Sequence, residues 1–97
     1  MSRIPRNAKR DINEGPIVDA LEAQGFSVAR VNGAGVPDLV VGKGAFLAFV
    51  EIKAVKGRDT IPQLKFKAAW RGPSPITLRT LDDVARFALL ACEGGKS

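Results

Sequence analysis

Histidine and tyrosine are absent from these 97 residues, and cysteine, tryptophan and methionine occur once each. Without histidine there is no imidazole general base, no histidine-based triad and no histidine-bound zinc. Any hydrolysis has to run on carboxylates, lysine and metal. The single cysteine, Cys92, forms no internal disulfide, and its place in a late apolar segment predicts a small buried hydrophobe. No apolar run approaches the roughly 20 residues that span a bilayer. No secretory signal is visible either, so a cytoplasmic protein with no membrane partner is expected. The glycine-rich stretch Asn32-Gly33-Ala34-Gly35 lacks the Gly-x-Gly-x-x-Gly spacing of a dinucleotide site and leads into a strand rather than a helix, so no nucleotide cofactor is expected. Its glycines either let the backbone come close to a binding partner or permit the turn into Pro37.

What the chain does have is positive charge. Fifteen Lys and Arg against ten Asp and Glu give a net charge of +5 and a pI near 9.9, which favours a polyanionic partner. The basic residues gather in three groups: Arg3, Arg6, Lys9 and Arg10; Lys53, Lys56 and Arg58; Lys65, Lys67 and Arg71. One such group alone reads as a solvated face. Three of them read as a surface that tracks DNA phosphates, with salt-sensitive affinity and little sequence information. No reading helix is recognisable, so base readout is not expected.

The length suits one domain over residues 1–97, with a basic arm at 1–10 and a flexible tail at 93–97. A helix is expected over 11–24, interrupted at Gly15-Pro16, where it starts or bends. Gly25 is its stop signal. A strand at 26–31 follows, then an apolar run at 39–41, a turn near Gly42-Lys43-Gly44 and a second apolar run at 45–53. The run at 45–53 is apolar on both faces, which predicts a strand buried on both sides. With Lys43 exposed and the turn spanning 42–45, Val41 lies opposite Phe46 and Asp38 opposite Phe49. After a polar loop at 56–60, a helix over 61–70 carries Pro62 in its first turn. A strand at 75–78 and a helix over 81–91, N-capped by Thr80, close the chain. Leu64, Phe66 and Trp70 are expected to pack inward, with Trp70 also placed for partial exposure at a dimer contact.

The chemistry concentrates on the hairpin. Asp38 follows the bend of Gly35-Val36-Pro37, and Glu51 and Lys53 lie in Val50-Glu51-Ile52-Lys53. Side chains alternate along a strand, so Glu51 and Lys53 share a face. Asp38 is then their diagonal neighbour, close enough for both carboxylates to reach one ion. Glu-x-Lys alone is a common cross-strand ion pair. A third ionisable group at the mouth of the preceding strand, fixed by Pro37, makes it a candidate site for Mg2+ or Mn2+ and a phosphodiester.

Those residues carry a resemblance. With Glu14, Arg30-Val31-Asn32, Gly57-Arg58, Gln63 and Phe66, and the closing strand and helix, they resemble the VRR-NUC (virus-type replication-repair nuclease) family of the PD-(D/E)xK nuclease superfamily. The likeness runs from about residue 11 to residue 90. It implies an α/β restriction-endonuclease-like minimal core, a mixed sheet of about four strands flanked by helices in the order αβββαβα. It also implies a bacterial or phage-encoded endonuclease that cuts DNA with magnesium or manganese, with branched substrates such as four-way (Holliday) junctions. In that likeness Asp38, Glu51, Glu14 and the backbone carbonyl of Ile52 hold the metal. Lys53 steadies charge, and Gln63 touches the phosphate or a metal-bound water. Arg6, Lys9, Arg10, Arg30, Asn32, Gly35, Lys56, Arg58 and Lys65 would face DNA. Against the metal role, Glu14 reads about as well as a plain helix carboxylate, favoured by the N-terminal dipole or capping before Pro16, and only the resemblance tilts it to the site; Gln63 taken alone reads as a surface residue. Resolving a junction needs two cuts, so a homodimer is expected. An archaeal-type Holliday junction resolvase shares the early glutamate and the Asp…Glu-x-Lys spacing. A basic binding module of the same fold that no longer cuts is the reading from another class.

Overall fold

The computed structural model describes residues 14–96, with side chains through Cys92. The expected arm at 1–10 with Arg3, Arg6, Lys9 and Arg10, the helix start at 11–13, and Ser97 lie outside the described residues. Within them the order is α1 (Glu14–Ala23), β1 (Ser27–Arg30), β2 (Leu39–Lys43), β3 (Phe46–Ile52), α2 (Ile61–Ala69), β4 (Ile76–Leu78) and α3 (Leu81–Lys96).

Each boundary has a local cause. α1 runs through Gly15-Pro16 without a break, since a proline in the first turn removes an N–H that has no helical acceptor. It stops at Gly25: the Gly25 N–H donates to the Glu22 carbonyl at 2.9 Å and the Phe26 N–H to that of Leu21 at 3.1 Å, the paired bonds of a Schellman ending. α3 is capped as expected by Thr80, whose Oγ1 accepts from the Asp83 N–H at 3.2 Å while Asp83 Oδ2 accepts from the Thr80 N–H at 3.1 Å. The helix continues past residue 91 to Lys96, where a frayed tail was expected.

The four strands form one mixed sheet in the order β1-β2-β3-β4, antiparallel except for the parallel β3–β4 pair. A parallel pair needs a crossover, and α2 is that crossover. One face of the sheet carries Leu39, Val41, Val50 and Ile52, which pack with Ile17, Val18 and Leu21 of α1 and with Val84, Phe87 and Ala91 of α3. The opposite face belongs to α2: Phe66 and Trp70 stack on each other, centroids 5.2 Å apart, and both meet the edge of Phe49.

Several expectations change. The hairpin turn is Gly44-Ala45, with Lys43 paired to Phe46 and Val41 to Ala48. The register therefore moves two residues from the one expected, which preserves every face and changes every partner. β3 is buried on both sides only at Val50–Ile52, and Leu47 is 70% exposed. A nine-residue helix is about 13 Å long, too short to cover the whole strand. α2 buries no residue completely, and Leu64, expected inside, is 53% exposed. Lys43 is not an idle turn residue: its Nζ donates to the Gln24 carbonyl at 2.8 Å and lies over the Phe26 ring. Cys92, expected to be buried, is exposed on α3, because the core-facing stripe there runs through Val84, Phe87 and Ala91.

Candidate active site

The site forms where β2 begins and β3 ends. The Val31 N–H donates to the Asp38 carbonyl at 2.8 Å, so pairing of the first two strands extends one residue beyond Leu39. Continuing the β2–β3 register from Leu39↔Val50 puts Asp38 directly opposite Glu51. Asp38 Oδ2 accepts the Ile52 N–H at 2.8 Å, which ties this carboxylate across the hairpin mouth. The two acids are thus closer partners than the diagonal arrangement expected from sequence.

Glu51 is 1% exposed. Both of its oxygens are buried and, among the described residues, accept no hydrogen bond. Such a carboxylate is costly without a cation near it. The cation that reaches it is Lys67 of α2, whose Nζ stands 3.2 Å from Glu51 Oε2 and 2.8 Å from Asp59 Oδ2. Contact with Glu51 is by charge and proximity, whereas that with Asp59 is a well-formed hydrogen bond.

Lys53, 7% exposed, shares the Glu51 face. Its ammonium donates to the Arg58 carbonyl at 3.1 Å and to Gln63 Oε1, and lies 3.6 Å from Asp59 Oδ1. Gln63 does not reach outward as the family likeness implies. Its Oε1 also accepts the Thr60 N–H at 2.8 Å, while Thr60 Oγ1 accepts the Gln63 N–H at 3.3 Å. These bonds are a capping box at the start of α2. Gln63 thus holds the Lys53 ammonium and closes the start of α2 at the same time.

The charges perturb one another. The hydrogen bond from Lys67, more than the charge of Lys67 or Lys53, holds the Asp59 carboxyl below its ordinary range against the opposing effect of burial. Burial pulls the Lys67 ammonium down, but the hydrogen bond to Asp59 and the close negative charge of Glu51 outweigh it and leave Lys67 above the ordinary lysine value.

Other expected residues fall elsewhere. Glu14, 6% exposed, accepts from Arg30 Nε at 2.6 Å, and Arg30 pairs with Leu39, on the α1 side of the sheet. Among the described residues no three His, Cys, Asp or Glu side chains are grouped to hold one ion, and the Glu14 carboxylate is paired with Arg30. Gly35 meets the protein's own backbone: a Cβ there would sit 2.2 Å from the Pro62 carbonyl oxygen. Asn32, Lys56, Arg58 and Lys65 are exposed.

Asp59 and Arg79 were missed, and Lys67 was read only as part of a basic surface group. Lys67 and Asp59 complete the ion network. Arg79 Nη1 donates to the carbonyls of Ala54, Val55 and Gly57 at 2.7, 3.2 and 2.8 Å, and so shapes the loop after Lys53. A signal for Lys67 existed. The Thr60-x-x-Gln63 spacing marks a helix start, and from there Gln63, Phe66, Lys67 and Trp70 share one helical face.

A pair of carboxylates suits magnesium or manganese, which complete their shells with water and phosphate oxygens. The orphaned oxygens of Glu51 fit that need. Comparison with protein-family models, curated proteins and solved structures gives no match for this chain. No helix among the described residues is long and apolar enough to cross a membrane.

Proposed function

We propose that the chain is a metal-dependent DNA endonuclease of the PD-(D/E)xK type, similar to VRR-NUC nucleases and directed at branched DNA such as four-way junctions. The observation that carries this reading is Glu51: a fully buried carboxylate without a hydrogen bond, set across the register from Asp38 and beside Lys53. Lys67 offsets part of that burial at Oε2, but among the described residues neither oxygen accepts a hydrogen bond, which is rare for a buried polar group with a purely structural role. Asp38 and Glu51, with the Ile52 carbonyl, would hold magnesium or manganese. When bound, such an ion supplies Lewis acidity and neutralises charge on the phosphate.

The remaining roles belong to the chain itself. Lys53 presents a fixed positive charge to the phosphate or the attacking water, and its two anchors, Arg58 O and Gln63 Oε1, keep it from wandering. Exposed Lys56, Arg58 and Lys65 contact the phosphate backbone without reading bases. Paired cuts across a junction would need two copies related by symmetry.

The test is cleavage of labelled four-way junction, flap and linear duplex with magnesium, manganese or EDTA, beside an Asp38→Asn control. Metal-dependent cutting that the control loses supports the nuclease, and paired symmetric nicks add junction resolution. Tight binding with no cutting in either metal points instead to the inactive binding module.

A further inference from the structure

Lys67 does two things that do not belong together in an ordinary surface pair. Its ammonium is the cation nearest the buried Glu51 carboxylate, 3.2 Å from Oε2, yet its well-formed hydrogen bond goes to Asp59. The Lys67 side chain is 27% exposed, whereas that of Glu51 is 1% exposed. One end of the contact is therefore fixed inside the protein, and the other is a flexible stem with a path to solvent. Asp59, 23% exposed, stands at the edge as a second anchor that Lys67 keeps even when it moves away from Glu51.

Resting on the reading of Asp38 and Glu51 as a metal pair, we propose that Lys67 is the site's exchangeable internal cation. It neutralises Glu51 until a divalent ion takes that carboxylate, and it then withdraws onto Asp59. The physical reason is simple. An ammonium and a divalent ion held against one buried carboxylate repel each other strongly where water is scarce, which favours retreat of the more mobile of the two. Withdrawal costs little because the Asp59 bond already exists. The displaced ammonium stays beside the site, where it adds a positive charge for the incoming phosphodiester. Metal affinity is thus set partly by competition with a residue that is not a ligand.

Manganese binding to the full chain, measured by calorimetry without DNA, tests this. Replacing Lys67 with Met removes the competing charge while keeping the length of the stem. Lys67→Met should bind Mn2+ roughly tenfold or more tightly than the unaltered chain, and Glu51→Gln in the same background should erase the gain. Equal or weaker binding by Lys67→Met, with the unaltered chain binding normally, overturns the exchange and leaves the nuclease reading intact. Absence of binding in both chains overturns the metal pair itself and the exchange with it. A second measurement needs no folded Lys67→Met. In protein carrying 13C-labelled lysine, the Lys67 Cε signal, assigned by its loss in Lys67→Arg, should shift on adding Mg2+ with the midpoint of metal binding. A Lys67 signal that stays put while Mg2+ binds overturns the proposal.

Discussion

At the scale of single residues, Glu51 is where folding and chemistry pull against each other. Its carboxylate is buried without hydrogen bonds, and an amide carries no charge to desolvate. Lys67 would not be stranded by the change, because Asp59 holds it. Glu51→Gln should therefore raise stability by about 1 kcal/mol, read as a higher midpoint in urea, while abolishing metal-dependent cutting. Asp59 gives a pH prediction. Its folded carboxyl lies below the ordinary value of 3.8, so the fold favours the ionised form. That contribution is complete above the unfolded value and is lost as pH falls through the lower folded one. Asp59→Asn should flatten the acid limb of the stability curve below about pH 4 and leave its shape near neutrality unchanged.

At the scale of elements, the site depends on how α2 meets the hairpin, and that docking was only partly legible. The strand–turn–strand pattern, Pro62 in the first turn of α2 and the Thr80 cap of α3 could all be read from residue types. The register could not. Pairings that differ by two residues put the same side chains on the same face, and only the tight turn at Gly44, with φ of 60°, decides between them. Asp38, Glu51 and Lys53 were legible because they lie on adjacent strands. Lys67 was only half legible: the Thr60-x-x-Gln63 cap puts it on the helical face of Phe66 and Trp70, but that it reaches Glu51 depends on how the crossover helix docks. The packing at Gly35 was hidden for a similar reason: its positive φ suits the expected turn into Pro37, but the start of α2 also needs its missing side chain. At φ of 77°, with Pro62 O 2.2 Å from a notional Cβ, Gly35→Ala should cost more than about 2 kcal/mol. Urea unfolding measures it. Cutting should fall too, because Gln63 and Lys67 move with the displaced helix.

At the scale of the whole molecule, the proposed function and a net charge of +5 together predict a DNA affinity that falls with salt. Each phosphate contact contributes about −0.9 to the slope of log affinity against log salt, so Lys65→Ala should reduce that slope by about 1. Affinity should fall to a similar degree on junction and duplex, as measured by fluorescence anisotropy across a salt series. The uneven cover of the sheet matters at this scale as well. α1 and α3 seal one face, while on the other α2 leaves an apolar groove of about 310 Å³ lined by Val40, Leu47, Phe49, Trp70 and Ile76.

The aromatic contact at the end of α2 has one more consequence. Trp70 is the chain's sole tryptophan, its indole N–H donates to the Pro73 carbonyl at 3.0 Å, and its ring packs on Phe66 and Phe49. Intrinsic fluorescence therefore comes from the seam between the crossover helix and the sheet and from no other part of the molecule. Far-ultraviolet dichroism, by contrast, averages over every helix and strand. Followed together during unfolding, the two signals would separate release of the helix that carries Gln63 and Lys67 from collapse of the domain, giving a label-free optical gauge of whether the site is assembled.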